Sequence, residues 1–347
     1  MYGKLLLQLL VPQRNRSSLP KKTSFGSCNL PTPSARSRSG ADCFADDFAH
    51  LSIVPLIHSA KAQFQLLDIL AMPARDENDG GSLGELVSLK VSPWSLRARW
   101  ALTHHRCHYS ETYYTPFISA PRMWYRLSFP RDKITVPVFF PIEGSPPLRD
   151  SLEIAQMADK KQSLNSDSIF PPNAGSEIES WVQCIEPALA YGRERYARNV
   201  MMSEEATLSF IPKSIRWVHN FGGVSLIRWL FGTTFISKYP VSADAEAEAH
   251  RSWSAVLQRL HKVKSNSSNK QSIYLVGGRF TFADIAVSSA TIMIEPLKRK
   301  FFRGTNTHDE CVRNEEFREK FDEVIQWRDD IFERHFPESL WPIPRQQ

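Results

Sequence analysis

The sequence predicts an α/β region followed by an all-helical region. From Leu86 to Met157, short β-rich runs alternate with segments of helical spacing, which is the order typical of an α/β fold. From residue 176 onward the composition turns helical. The chain of 347 residues suits about two domains, and its 42% hydrophobic and 23% charged content is ordinary for a protein with a real core.

The first predicted element is a strand that runs directly into a helix, between Leu86 and Leu102. The residues up to Val91 are apolar and β-rich, and those that follow have helical spacing. Ser92 at the junction is a good N-cap, and Pro93 suits the first helical position, where its missing N–H costs nothing. Unpaired N–H groups and the helix dipole make this end favourable for an anion. Ser92 is therefore a candidate to meet an anionic ligand; the alternative is that it only caps the helix.

Two more strands and a helix complete the α/β region. Cys107–Tyr114 has the β-branched and aromatic residues of a second strand. Ile134–Phe140 reads as a third strand, which can keep its internal proline if the Val136–Pro137 bond is cis. The prolines in Pro146–Arg149 allow only a weak edge strand, and Asp150-Ser151 then open a helix.

The second region is built from amphipathic and buried helices. We predict helices at Glu177–Met201 (with Pro187 inside), Asp244–Val263 and Phe317–Phe336. Phe210–Tyr239 is the most apolar run, but its charged residues and its Gly222-Gly223 pair argue against a membrane span. Thr281 and Asp284 form a capping-box-like start to a strongly apolar helix.

The N-terminal part differs in composition from the rest. Residues 1–41 lack Asp and Glu and are rich in basic residues, serine and proline. They read as a transit peptide to a plastid or mitochondrion, or else as a disordered tail of a cytoplasmic protein. Residues 42–84 form an extension and linker to which we assign no chemistry. The two folded domains are placed at residues 85–162 and 176–336.

Charge and cysteine usage exclude several classes. The net charge of +6 is modest, and no zinc-finger or RNA-recognition pattern is present, so nucleic acid is not an expected partner. The five cysteines are odd in number and lack CxxC spacing, which indicates a reducing compartment with no disulfide framework and no metal site.

Three dipeptides, in this order and at these separations, carry a family resemblance: Ser92-Pro93 (with Arg97 following), Val136-Pro137 and Asp150-Ser151. With them, the β-α-β, then β-β-α order resembles the glutathione S-transferase family, in its serine-type form with an SPF- or SPY-like motif. The resemblance implies a thioredoxin-like glutathione-binding domain followed by the family's all-helical C-terminal domain, where the Thr281/Asp284 cap also matches. It implies glutathione as co-substrate without a metal, and a homodimer, since the family is commonly dimeric.

The resemblance assigns a role to each site residue. Ser92 corresponds to the serine that stabilises the glutathione thiolate, and Ser95, one turn into the helix, is the runner-up. Val136, before Pro137, pairs its backbone with the cysteinyl part. Asp150 and Ser151 hold the γ-glutamyl end, and the alternative is that they only cap their helix.

Two functions compete. The first is an enzyme of detoxification that conjugates glutathione to an apolar electrophile, or uses glutathione to reduce one. The alternative is a non-catalytic binding or interaction module, which the unusual segment 115–133 and the N-terminal extension favour. The second substrate would lie between the two regions, where Tyr191, Arg195 and Tyr196 are candidates to face it.

Overall fold

The computed structural model describes residues 81–115, 119–130, 133–161, 167–209, 225, 228, 242–266, 273–302 and 304–340. All of these belong to one compact unit, Phe64–Gln347. The predicted run Phe210–Tyr239 lies outside the described residues except for Ser225 and Arg228, and residues 1–80 lie outside them entirely. In the described part, no helix is both long and apolar enough to cross a bilayer.

The α/β region comes first and contains three strands and three helices. In chain order these are β1 (Gly84–Ser88), α1 (Pro93–His104), β2 (Ser110–Tyr113), α2 (Ala120–Arg126), β3 (Val138–Pro141) and α3 (Ser151–Lys160). The strand order in the sheet is β2-β1-β3. Strand β1 pairs parallel with β2 and antiparallel with β3, with Val87 opposite both Thr112 and Val138. The α/β prediction is confirmed.

Four details of that prediction are corrected. The third strand begins at Val138 and not at Ile134, because Pro137 has no N–H to give to the ladder. The second strand begins at Ser110 and not at Cys107. The unusual segment 115–133, where no element was predicted, contains α2, which Pro121 favours because it occupies the first turn of that helix. The weak edge strand is reduced to a single bridge between Leu148 and Phe139.

Helix α1 lies between two cores. Its Ala98 and Leu102 pack with β1, β3 and α3 in the core of the α/β region. Its Leu96, Trp100 and Ala101 pack instead in the large core of the helical region. Helix α1 therefore joins the two regions, and the residue at its start lies where they meet.

The helical region is the larger part of the described chain. Its helices are α4 (Gly175–Met202), α5 (Glu204–Ser209), α6 (Ala245–Asn266), α7 (Phe282–Ala290), α8 (Asn306–Val312), α9 (Glu315–Lys320) and α10 (Asp322–His335). Helix α4 packs along both α6 and α7. The all-helical prediction is confirmed, and so is the capping box of Thr281 and Asp284 at the start of α7.

Two predictions in this region are wrong in detail. The last helix, predicted at Phe317–Phe336, is two helices that break at Phe321, which leaves helical geometry (φ −115°, ψ 29°). The Phe321 ring is buried in the core, although the backbone turns at this residue. Helix α8 was not predicted, because seven residues are too few for a clear periodicity.

Candidate functional site

Ser92 caps α1, as the sequence predicts. Its backbone is extended (φ −86°, ψ 123°), and its Oγ accepts a hydrogen bond from the backbone N–H of Ser95 at 3.3 Å. An N-cap hydroxyl that accepts in this way keeps its own hydrogen for a second partner. Ser92 is 8% exposed and lies at the positive end of α1, where an anion would be favoured.

Ser95 does a different job. It is completely buried, and its Oγ accepts a hydrogen bond from the backbone N–H of Leu89 at 3.0 Å. That bond holds the loop between β1 and α1 against the first turn of the helix. Complete burial weighs against the direct contact with glutathione for which Ser95 was the runner-up, and its contribution to the site is to position the loop that carries Ser92.

The strand register brings three predicted segments to one edge of the sheet. The antiparallel ladder ends with Val87 opposite Val138, so the loop that follows β1 and the Val136–Pro137 peptide that precedes β3 leave the same end of this strand pair. Phe139 and Leu148 exchange both backbone hydrogen bonds, at 2.8 and 2.9 Å. Because this bridge is antiparallel, the chain after Leu148 runs toward the same end of the sheet, where α3 begins. The loop before Ser92, the Val136–Pro137 peptide and the start of α3 are therefore neighbours, and the Val136–Pro137 bond is cis, as predicted.

Asp150 and Ser151 begin α3. Asp150 Oδ1 accepts the backbone N–H of Leu152 at 2.7 Å, so Asp150 does cap its helix. Capping occupies one carboxylate oxygen and leaves the second for an ammonium group. Ser151 is 2% exposed and sits in the first turn, where the helix dipole favours a carboxylate. The capping interpretation and the binding interpretation are therefore compatible.

A cluster that was not predicted joins α1 to α4 beside Ser92. Arg97 Nη1 donates to Glu186 Oε1 at 2.8 Å, and the indole N–H of Trp94 donates to Glu186 Oε2 at 3.0 Å. Arg97 Nε also donates to the carbonyl oxygen of Ala286 at 3.2 Å. The Arg97 side chain is completely buried, whereas Glu186 is 42% exposed. The sequence singled out Arg97 but gave no signal for its partner 89 positions away.

The described cysteines are not poised for thiol chemistry. Burial raises the pKa of the Cys107, Cys184 and Cys311 thiols, which keeps them protonated at neutral pH. All three are unpaired.

A cavity lies next to the loop that precedes Ser92. Lys90 and Val91 line one side of it, and Tyr196 of α4 lines another. Of the three residues predicted to face a second substrate, Tyr196 is the one that lines this cavity. Tyr191 stacks on Phe317, and Arg195 donates a hydrogen bond to the Val312 carbonyl oxygen.

Among the described residues, one group could ligate a metal ion: Glu246 and His250 on α6 with Glu316 on α9, whose ligand atoms lie within 4.8 Å of one another. Lys320 Nζ lies 3.3 Å from His250 Nδ1, which places a cation beside the group. We therefore interpret the group as a cluster of charged side chains on the surface of α6 and α9, which belong to the helical region.

Comparisons with known proteins match both regions. The model for the glutathione S-transferase N-terminal domain matches residues 91–161, and the model for the glutathione S-transferase C-terminal domain matches residues 229–335. Together the two ranges cover just over half of the chain. No curated protein matches.

The solved structures to which the chain is similar are distant in sequence. A possible glutathione S-transferase from Rhodopseudomonas palustris is 17% identical (TM-score 0.43; 75% of this chain, 100% of that one). The glutathione transferase GSTFuA2 of Phanerochaete chrysosporium is 14% identical (TM-score 0.46; 73% and 98%). The nitrogen regulation fragment of the yeast prion protein Ure2p is 14% identical (TM-score 0.45; 74% and 95%).

The two family models, in the order found in the chain, match the α/β region and the helical region in turn. The chain belongs to the glutathione S-transferase family.

Proposed function

We propose that this chain is a glutathione transferase in which Ser92 stabilises the thiolate of bound glutathione. The observation that supports the proposal is the strand pairing, from which the loop before Ser92, the Val136–Pro137 peptide and the start of α3 all leave at one end of the sheet. A tripeptide laid across that edge would meet a hydroxyl, an unpaired stretch of backbone and a helix N-terminus in turn.

The helix dipole and a hydrogen bond from Ser92 can together supply the free energy that thiol activation requires. A cysteine thiol has a pKa of about 8.5, and lowering it by about two units requires about 2.7 kcal/mol in favour of the anion. The N-terminus of a helix supplies about 0.3–2 kcal/mol, and one hydrogen bond to a charged acceptor supplies about 1.5–3 kcal/mol. Ser92 provides the hydrogen bond at the end of α1, which provides the dipole.

The rest of the tripeptide would be held by backbone and charge. Val136 offers its backbone to the cysteinyl part, because the strand ladder begins only at Val138. The free carboxylate oxygen of Asp150 pairs with the α-amino group, and the N-terminus of α3 at Ser151 receives the γ-glutamyl carboxylate. The thiolate then attacks an apolar electrophile from the neighbouring cavity and forms a carbon–sulfur bond as the leaving group departs. With a peroxide, the thiolate attacks oxygen and releases an alcohol, and a second glutathione converts the resulting sulfenic acid to the disulfide and water.

A retention and turnover experiment tests the proposal. The wild-type chain should bind a glutathione-affinity column and conjugate a general aryl-halide electrophile. Ser92→Ala should stay on the column but lose most of the turnover, whereas Ser265→Ala, the same change at an exposed position of α6, should keep both. A chain that binds glutathione with no turnover in any form would be the non-catalytic module, and a wild-type chain that ignores the column would overturn the assignment of the binding edge.

The cellular location and the oligomeric state of the protein are two further proposals. We propose that residues 1–41 direct the chain to a plastid or mitochondrion, which a fluorescent fusion of those residues would test. We also propose a homodimer, for which the mass in solution is the measurement.

A further inference from the structure

A histidine and two carboxylates from two helices face one another on the surface of the helical region. Glu246 and His250 lie one turn apart on α6 and therefore share a face of that helix, and Glu316 lies on α9. The ligand atoms of the three residues lie within 4.8 Å of one another, and His250 Nε2 is 3.7 Å from Glu316 Oε1. We call these three residues the α6/α9 cluster.

The described residues supply no basic partner for the two carboxylates of the α6/α9 cluster. Within the described part of the chain, neither Glu246 nor Glu316 pairs with a lysine or an arginine, whereas the neighbouring Glu315 pairs with two arginines. Lys320 approaches the cluster but contacts the imidazole, with its Nζ 3.3 Å from His250 Nδ1. A divalent cation would balance the two negative charges.

Neighbouring side chains hold two of the three potential ligands in place. The ring of His250 packs against the ring of Phe317, with centroids 4.2 Å apart. The hydroxyl of Tyr191 donates a hydrogen bond to the carboxylate of Glu246. Burial and that carboxylate together raise the pKa of Tyr191 to about 12, so the phenol keeps its hydrogen. Hydrogen bonds that orient a ligating side chain in this way are typical of metal sites in proteins.

One imidazole nitrogen and two carboxylate oxygens are a donor set that suits Zn²⁺. Zn²⁺ binds such atoms at about 2.0–2.2 Å, which separates the donor atoms around a tetrahedral ion by about 3.3 Å. The His250–Glu316 pair is close to that separation, and the side chain of Glu316 is 70% exposed, so it is free to move the small remaining distance. Mg²⁺ and Ca²⁺ favour sites with oxygen ligands alone, so the imidazole favours a transition metal.

We propose that the α6/α9 cluster binds one Zn²⁺ ion, with His250 Nε2, Glu246 and Glu316 as ligands and water in the fourth position. A metal ion on Nε2 places the ring hydrogen on Nδ1, which can then no longer accept from Lys320, so Lys320 leaves the imidazole. The bound ion joins α6 to α9 and stabilises the folded chain by mass action. The site is independent of the proposed function, because all its ligands lie in the helical region and glutathione takes no part.

Calorimetric titration of the full chain with Zn²⁺, in the absence of glutathione, tests this site. Wild type should bind one ion, and His250→Ala and Glu316→Gln should each weaken the binding by more than about tenfold. His261→Ala is the matched control, because it removes a histidine of the same helix that has Glu323 as its partner. It should leave the affinity unchanged.

Two further variants test the surroundings of the ion. Tyr191→Phe keeps the ring that stacks on Phe317 but removes the hydroxyl that orients Glu246, and it should weaken Zn²⁺ binding by about tenfold. Lys320→Met removes a cation that repels the ion, and it should strengthen the binding by about tenfold. A variant that lost binding through a general loss of structure would not show this gain.

Two results would overturn the proposal: a wild-type chain that binds no Zn²⁺, or an affinity that is the same in wild type and in Glu316→Gln. Glu316 is exposed, so this comparison decides the matter even where His250→Ala fails to fold. Co²⁺ serves as a second probe, since a sulfur-to-cobalt charge-transfer band would assign the ion to cysteine thiolates and would also overturn the site. None of these results bears on retention by a glutathione column, and that retention does not bear on them.

Discussion

At the scale of single residues, the proposed function gives Ser92 two tasks that use different parts of one hydroxyl group. Its oxygen accepts the N–H of Ser95 and so begins α1, while its hydrogen is available to a sulfur anion. An aspartate at this position would cap the helix equally well but could not donate, and its charge would repel a thiolate. A hydroxyl is therefore the side chain that serves both.

Protonation of His335 makes the folding stability of the protein depend on pH. Its Nε2 lies 2.9 Å from the Tyr274 hydroxyl and its ring stacks on Phe280, with ring centroids 4.0 Å apart. Burial, with His104 and Arg334 nearby, lowers the pKa of His335 from 6.5 to about 4. A histidine with a lowered pKa in the folded state binds fewer protons there than in the unfolded chain, so stability is lost as pH falls from about 6.5 toward 4.

We therefore expect the melting temperature of wild type to fall over this pH range, and the fall to be smaller in His335→Gln. His261→Gln serves as control, because His261 lies on the surface of α6 with Glu323 as its partner. A pH profile of His335→Gln that coincides with the wild-type profile would contradict this explanation.

The sequence predicts those parts of the site that depend on contacts between near neighbours in the chain. It does not predict the parts that depend on contacts between distant residues. Ser92, the cis Val136–Pro137 bond and the Asp150 cap each depend on neighbours within a few residues, and the sequence shows them. The bond between Tyr196 and His308 spans 112 positions and that between Ser209 and His308 spans 99. No spacing rule joins such residues, because the pairing is created by the packing of α4, α5 and α8.

At the scale of elements, the start of α7 is the most completely bonded helix end in the described chain's core. The carboxylate of Asp284 accepts the backbone N–H groups of Leu275 and Thr281, each at 2.8 Å, and the Thr281 hydroxyl at 3.0 Å. Asp284 and Thr281 are both completely buried. The cap therefore holds the loop at Leu275 as well as the helix.

Asp284→Ala should leave two buried backbone N–H groups without an acceptor and cost about 3 kcal/mol or more. Asn314→Ala removes the cap of the short helix α9, where the bond to the Phe317 N–H is longer, at 3.4 Å, and should cost about 1 kcal/mol. Chemical denaturation of the two variants measures both losses. Equal losses would mean that the buried cap does not hold the loop.

Long elements with clear spacing were predicted and short ones were not. Helices α4 and α6 have 28 and 22 residues, and their apolar periodicity is visible in the sequence. Helices α2 and α8 have seven residues each, which is about two turns, and their stability comes from what they pack against. The break at Phe321 follows the same rule, since a buried ring fixes it and no glycine or proline marks it.

At the scale of the whole molecule, α1 couples the two regions through polar as well as apolar contacts. Arg97 is buried in the interface with its charge facing Glu186, and Trp94 shares the same carboxylate. Removing one partner of a buried pair leaves the other charge without compensation, which is more costly than removing both. The pair therefore makes the orientation of the two regions specific.

We expect Glu186→Ala to lower the free energy of unfolding by about 2–4 kcal/mol, with much of the loss recovered in Arg97→Met/Glu186→Ala. Glu177→Ala, on the same helix, removes an ion pair with Arg259 whose side chains are 47% and 26% exposed, and should cost less than about 1 kcal/mol. Urea denaturation measures these values. A double variant as unstable as the sum of its single changes would contradict the coupling.

The most direct measurement of the central claim is the pKa of the glutathione thiol when it is bound, followed by the ultraviolet absorbance of the thiolate during a pH titration. Wild type and Ser92→Thr, which keeps both the cap and the hydroxyl, should lower that pKa by about two units from its value of about 8.5 in water. Ser92→Ala should raise the bound value by about 1–2 units relative to wild type. A bound thiol with the same pKa in wild type and in Ser92→Ala would contradict the account.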